Sequence, residues 1–348
     1  MSTPVNNYIS LTLKPNINSV FSINTSENFN QLALSVFKYQ ADNNEVYKQY
    51  LNSLRINIDE VKEVAQIPFL PVEFFKTHKV VTNSELQTTN SELFLSSGTT
   101  DANQSKHYVS DVNIYEMSYQ KSFQYFYGNI EEYCMLALLP SYLEREGSSL
   151  IYMVADLIKK SKHPQSGFYL NNYNDLLVTL KELDIKKQKT ILLGVSYALL
   201  DLADQLVSQK TEKSNFKNTI VMETGGMKGK RQEMIKEELH NKLCKSFGVE
   251  VIHSEYGMTE LLSQAYSKGK GLFECPPWMK ILIRDVNDPF TLLPAERSGG
   301  INIIDLANIN SCSFIATHDL GKLHFNNSFE VLGRFDNSDI RGCNLLLQ

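Results

Sequence analysis

From about residue 93 this chain alternates apolar runs of strand length with segments of helical period, and that alternation restricts its fold more than any other feature. The runs are Tyr133 to Leu139, Thr190 to Val195, Thr219 to Met222 and Val249 to Ile252. Between them lie stripes such as Leu150, Met153, Val154, Leu157 and Ile158, spaced to line one face of a helix. Strand then helix, repeated, predicts an α/β fold whose parallel sheet is covered on both faces, since strands buried on both sides read as continuous apolar runs. After Pro276 the pattern shifts to short strands and turns (Met279 to Ile283, Gly300 to Leu306, Phe314 to Thr317, Lys322 to Phe325), which predicts a small antiparallel subdomain. Upstream, Phe29, Leu32, Ala33, Val36 and Phe37 form a helical stripe with Thr25 and Ser26 available as N-caps. Two prolines in Ile67-Pro68-Phe69-Leu70-Pro71-Val72 force an extended path that connects into the main body. The expected division is a helical segment over 1–92 packed on the main domain, an α/β core over 93–275, and a small β-rich subdomain with a hinge-like tail over 276–348.

At 348 residues and 42% hydrophobic content, the chain can bury a substantial core. Its 34 Lys and Arg against 39 Asp and Glu give a net charge of −5, which leaves no basic footprint for nucleic acid or an anionic membrane. Any anion must therefore be held locally. No stretch approaches the ~18 apolar residues needed to span a bilayer, and Met1 to Asn7 lacks a charged lead into an apolar segment. The five cysteines (Cys134, Cys244, Cys275, Cys312, Cys343) are scattered without a C-x-x-C pair, which argues against a disulfide scaffold or a zinc site. A cytoplasmic protein with reduced thiols is expected.

A local anion site is offered by Leu95-Ser96-Ser97-Gly98-Thr99-Thr100-Asp101, followed by Lys106. Hydroxyls grouped around one glycine let backbone N–H and side-chain O–H groups converge on a phosphate, although an exposed turn uses the same residues. Other blocks follow strand-like runs: Glu223-Thr224-Gly225-Gly226-Met227-Lys228, where paired glycines let a flat ligand approach, and Glu255-Tyr256-Gly257-Met258-Thr259-Glu260, with a ring, a hydroxyl and a carboxylate. Thr317-His318-Asp319-Leu320-Gly321-Lys322 and Gly333-Arg334-Phe335-Asp336 complete the set. Taken singly, Tyr256 reads more readily as a core ring, Glu260 as a carboxylate at a helix start, Asp319 as a turn residue and Arg334 as a surface ion pair. Taken in this order after strand ends, where open α/β sheets bind ligands, they form a constellation.

In these blocks the sequence resembles the adenylate-forming (acyl-CoA synthetase-like, ANL) superfamily. The resemblance runs from about residue 93 to the C-terminus. A short chain, the Ile67 to Val72 segment with Phe75-Lys76, and the terminal Ile340-Arg341-Gly342-Cys343 are similar to its acyl-protein synthetase (LuxE-type) branch over nearly the whole length. The resemblance implies an ANL-type N-terminal domain, with parallel sheets flanked by helices and a small antiparallel β subdomain. The chain stops twelve residues after Asp336, so the mobile C-terminal domain of larger ligases, with its catalytic lysine, is expected to be absent. It further implies activation of a carboxylic acid, a fatty acid above all, by ATP and Mg²⁺ to an acyl-AMP. Ser96, Ser97, Gly98, Thr99 and Thr100 would hold the β- and γ-phosphates, Thr259 the α-phosphate and Glu260 the Mg²⁺. Tyr256, next to Gly257, and the backbone of Gly225 and Gly226 would enclose adenine, Asp319 would accept the ribose hydroxyls, and Arg334 would lie near the ribose or α-phosphate. Lys228 and Lys106 are the local candidates to replace the missing lysine. Cys343, near Arg341, would take the acyl group as a thioester and pass it to an acceptor protein such as a reductase or carrier. Departures from the pattern are Asp101 where a glycine is usual, the displaced Lys106, and His318 before the ribose aspartate. Two alternatives remain: an acyl- or aryl-CoA ligase relying on a separate C-terminal domain, and a noncatalytic nucleotide- or acyl-binding protein.

Overall fold

The computed structural model describes residues 13–82, 89–97, 104–139, 146–170, 172–208, 215–225 and 234–335. The chain begins with helices α1 (Ile17–Val20), α2 (Ser26–Asn43) and α3 (Glu45–Ser53). Of the two candidate caps, Thr25 is the one that works: its hydroxyl accepts the Asn28 N–H, while Ser26 is already helical. The stripe from Phe29 to Phe37 is the buried face of α2. Helix α3 then fastens the proline segment, because the Tyr47 hydroxyl donates to the Pro68 carbonyl at 2.6 Å and Tyr50 to the Phe69 carbonyl at 3.1 Å. That segment becomes strand β1 (Leu70–Pro71) and leads into α4 (Phe74–Thr77).

Strands β2 (Glu92–Leu95) and β3 (Lys106–Val109) make an antiparallel hairpin of their own, followed by α5 (Val112–Tyr127). Next come β4 (Cys134–Leu138), α6 (Ser149–Ser161), β5 (Gly167–Phe168), α7 (Tyr173–Ile185), β6 (Thr190–Gly194), α8 (Ser196–Ser208), β7 (Thr219–Glu223), α9 (Lys236–Phe247) and β8 (His253–Tyr256). These strands pair in parallel in the order β5-β4-β6-β7-β8, as the alternation predicts. Every residue of β4 and β6 is buried; successive side chains point to opposite faces, so both faces are covered. The expected strand at Val249 to Ile252 is displaced: Val251 is exposed and the strand starts at His253.

Beyond β8 the sheet turns antiparallel through β9 (Ala265–Ser267), β10 (Phe273–Glu274), β11 (Met279–Arg284), β12 (Leu292–Leu293), β13 (Ser298–Asp305), β14 (Phe314–Leu323) and β15 (Phe329–Arg334). The order continues β8-β9-β10-β15-β14-β13-β11-β12, and β1 pairs in parallel with β14. All of these strands belong to one 13-stranded sheet. The run Phe314 to Thr317 and the first two residues of the run Lys322 to Phe325 prove to be parts of the single strand β14, which ends at Leu323 and carries His318, Asp319 and Gly321 between them. No helix among the described residues is long and apolar enough to cross a membrane.

Candidate active site

Three sequence-selected residues converge at the C-terminal edge of β8. Tyr256 ends that strand, Asp319 sits in β14, and Arg334 ends β15 directly opposite Asp319 in the antiparallel register. The Tyr256 hydroxyl donates to Asp319 Oδ2 at 2.7 Å, and Arg334 Nε donates to Oδ1 at 3.1 Å. Burial, reinforced by the Asp319 charge, holds the Tyr256 phenol well above its ordinary range, so it remains a donor. Its ring stands edge-on to Phe273 and Phe329, which stack on each other at 5.4 Å. Asp319 is buried within a strand, not placed in a turn, whereas Arg334 is exposed. Among the described residues each Asp319 oxygen has one partner, which leaves it lone-pair capacity of the kind a pair of incoming hydroxyls would use.

Glu260 is buried beside this group, and burial pushes its carboxyl up; the Ser105 side chain and the Arg334 charge oppose that push, while Asp319 adds to it. A carboxylate so placed gains from a bound cation. The described residues contain no cluster of three or more His, Cys, Asp or Glu able to cage a metal. A single buried carboxylate is the kind of ligand that a hard cation such as Mg²⁺ takes from a protein when phosphates and water complete its shell. Gly257 lets the chain pass Glu255, since a Cβ there would lie 2.5 Å from Glu255 Oε1.

The hairpin β2–β3 brings Ser96, at the start of the phosphate loop, and Ser105 to the same neighbourhood. Ser96 Oγ accepts the Ser105 N–H at 2.9 Å, and Ser105 in turn bonds Glu260. Ser97 is exposed, and Lys106 is half-buried opposite Leu95. Gly225 follows β7, the strand parallel to β8, so its turn lies at the same sheet edge as Tyr256. Its φ of +72° suits glycine, and its N–H donates to Glu223 Oε2 at 2.6 Å. Burial alone would raise the Glu223 carboxyl, but His240, Lys236, Ser254 and the Gly225 N–H together lower it to about 2. Gly98, Thr99, Thr100, Gly226, Lys228 and Cys343 lie outside the described residues.

Sequence reasoning missed the scaffold around these groups. His107 and Asn308, both buried, hydrogen-bond to the Thr259 and Glu260 carbonyls. Asp305 accepts the N–H groups of Leu262, Ser263 and Ala307 and the Ser263 hydroxyl. Glu73, after β1, pairs with His318, so the residue before Asp319 ties the N-terminal segment to the strand of Asp319. Apart from adjacency of His107 to Lys106, no spacing in the sequence signals these partners.

An acyl-protein synthetase (LuxE) family model matches residues 18–348. No curated protein matches the chain in sequence. Among solved structures it is similar to ATP-bound MatB from Rhodopseudomonas palustris, with a TM-score of 0.52 and 14% identity over 70% of this chain and 47% of that one. An open conformation of 2-hydroxyisobutyryl-CoA ligase in complex with 2-HIB-AMP and CoA matches with a TM-score of 0.64 and 12% identity over 89% of this chain and 70% of that one. A long-chain-fatty-acid-CoA ligase from Archaeoglobus fulgidus gives a TM-score of 0.52 and 14% identity over 74% and 53% respectively. The chain thus spans about half the length of MatB and of the fatty-acid ligase. At these identities the likeness establishes the shared fold.

Proposed function

Because the chain belongs to the LuxE acyl-protein synthetase family, we propose that it activates a fatty acid with ATP to an acyl-adenylate and passes the acyl group, through a Cys343 thioester, to an acceptor protein. The observation that carries this reading is the meeting of Tyr256, Asp319 and Arg334 on one carboxylate beside the buried Glu260. A carboxylate is a poor electrophile because oxide is a prohibitive leaving group; its oxygen attacking the α-phosphorus of ATP releases pyrophosphate and yields a mixed anhydride with AMP as leaving group. The protein's share of that step is alignment and charge neutralisation. Asp319, oriented by Tyr256 and Arg334, accepts the ribose hydroxyls; the backbone at Gly225 and Gly226 and the Tyr256 ring enclose adenine. Ser96 to Thr100 and Thr259 hold phosphate oxygens, with Arg334 near the ribose or α-phosphate and Lys106 or Lys228 as the candidates to supply the lysine of larger ligases. Glu260 would hold Mg²⁺, which when bound would neutralise phosphate charge. The segments 1–92, 93–275 and 276–348 act here as one adenylating body.

In the second step a thiolate attacks the acyl carbonyl, AMP departs, and a thioester remains. Burial pushes the thiols of Cys134 and Cys312 up, to about 11 and about 12, and raises those of Cys244 and Cys275 as well. Such thiols stay protonated at neutral pH and are poor nucleophiles, which supports assigning the step to Cys343. The test is acid-dependent ATP–pyrophosphate exchange alongside retention of labelled acyl groups on the denatured protein. Glu260→Gln should lower exchange by about 100-fold or more. Asp319→Ala should raise the ATP requirement by roughly 10- to 100-fold while leaving the acid requirement nearly unchanged. Cys343→Ser should retain exchange and lose the hydroxylamine-labile label. Exchange in Glu260→Gln within threefold of wild type removes Glu260 from the reaction, and label persisting in Cys343→Ser moves the acceptor to another residue.

A further inference from the structure

Glu260 is bracketed by two peptide groups whose carbonyls are both tied down. The Thr259 carbonyl, in the peptide before Glu260, contacts His107 Nδ1 at 2.8 Å. The Glu260 carbonyl, in the peptide after it, accepts from Asn308 Nδ2 at 2.7 Å. His107 and Asn308 touch each other, Nε2 to Oδ1 at 3.1 Å, and the second N–H of Asn308 goes to the Cys312 carbonyl at 3.0 Å. Both side chains are fully buried, and the Phe75 ring stands edge-on to the imidazole at 5.6 Å. A carbonyl only accepts, so the ring proton sits on Nδ1, and the two N–H groups of Asn308 are set by two carbonyls, which leaves its Oδ1 facing Nε2; a ring with its proton on Nδ1 has no donor there, so that approach is a packing contact and the clamp consists of the bonds to the Thr259 and Glu260 carbonyls. Peptide planes are rigid, so fixing the plane on each side of a residue fixes its φ and ψ and hence the direction of its Cα–Cβ bond.

We propose that His107 and Asn308 are positioning residues for adenylation, a clamp that sets the direction of the Glu260 carboxylate relative to the strand that follows the Ser96–Thr100 loop. His107 belongs to β3, one residue after Lys106, and Asn308 closes the turn after β13. The clamp therefore joins the hairpin of the phosphate loop to the loop of the candidate metal ligand, two parts of the chain about 150 residues apart, with His107 and Thr259 separated by 152 positions. On the far side Asp305 holds the Leu262 and Ser263 N–H groups, so Glu260 lies on a short span secured at both ends. The clamp rests on these hydrogen bonds; its effect on catalysis rests on the adenylation reading above.

The experiment compares His107→Phe, His107→Asn and Asn308→Ala with wild type in ATP–pyrophosphate exchange and in amide hydrogen exchange of peptides covering 256–263. His107→Phe keeps a ring but loses the bond to the Thr259 carbonyl, whereas the amide of His107→Asn can place a donor where Nδ1 stood. His107→Phe should accelerate hydrogen exchange in 256–263 specifically and lower kcat by about 10- to 100-fold with little change in KM for ATP, the range seen when groups that orient a metal ligand are lost. His107→Asn should recover much of both, and Asn308→Ala, which spares the Thr259 contact, should show the same localised loosening if His107→Phe does not fold. Unchanged hydrogen exchange in 256–263, or equal losses in His107→Asn and His107→Phe, overturns the clamp. Localised loosening in a protein whose wild type exchanges no pyrophosphate with any acid supports the clamp and sinks the adenylation reading instead.

Discussion

Glu255 precedes Tyr256 in β8, so its side chain leaves the opposite face of the strand and never meets the Asp319 group. It is buried; burial, followed by the charge of Glu223, pushes its carboxyl up to about 8. The folded state therefore holds this proton where an unfolded chain, titrating near 4.5, would release it. The resulting stability is complete below about pH 4.5 and is lost as pH rises toward 8. Glu255→Gln keeps the shape without the charge and should flatten the dependence of stability on pH between 5 and 8, exceeding wild type at pH 8 by roughly 2–4 kcal/mol. Urea midpoints at the two pH values check this, and parallel pH dependence in both proteins would refute it. The residues that surround Asp319 were legible because each belongs to a short block with a recognisable order. His107, Asn308 and Asp305 were not, since their partners are backbone groups of distant loops, and hydrogen bonds to backbone leave no residue pattern at the accepting end.

At the scale of elements, β14 and β15 decide whether Asp319 meets Arg334. The register shifts between Leu320 and Gly321, and Gly321 is pressed so closely that a Cβ there would lie 2.6 Å from the Glu330 carbonyl and 2.6 Å from Ile301 Cδ1. Backbone cannot yield as a flexible side chain does, so Gly321→Ala must part the strands or distort the bulge. We expect it to cost about 1–3 kcal/mol and to weaken ATP use more than acid use, because the displaced strand carries Arg334. Thermal unfolding with separate titrations of ATP and acid tests this; full stability with unchanged ATP affinity would show that the bulge absorbs a methyl group. The same strand shows where reading elements from sequence stops. Strands β4, β6 and β7 were visible because burial on both faces makes them unbroken apolar runs. Strand β8 reads His-Ser-Glu-Tyr and β14 is interrupted by His318, Asp319 and Gly321, so the strands that carry site residues are the ones whose hydrophobic pattern is broken.

For the whole molecule, the sheet is continuous where the sequence suggests a division. It passes from the parallel strands through β9 and β10 into β15, and β1 from the N-terminal segment closes on β14. Pairings of this kind join residues as distant as Leu70 and Ile315, and neither composition nor periodicity encodes which edges meet. Trp278, the single tryptophan, is buried at the junction of the three segments. Its indole N–H donates to Ser118 Oγ in α5 at 3.2 Å and to Ser263 Oγ at 3.0 Å, and its ring meets Phe21 edge-on at 5.0 Å, just after α1. An indole that loses any one of these neighbours becomes wetter and changes its emission, so it reports the integrity of the junction. Far-UV circular dichroism reports mainly the helices α5 to α9, which flank the parallel strands. Since no strand order separates the segments, the two signals should follow one transition with the same midpoint in urea. If segments 1–92, 93–275 and 276–348 were energetically independent, tryptophan emission would shift before the helical signal falls. A gap between the two midpoints larger than their experimental error would therefore show that the continuous sheet does not couple the three segments.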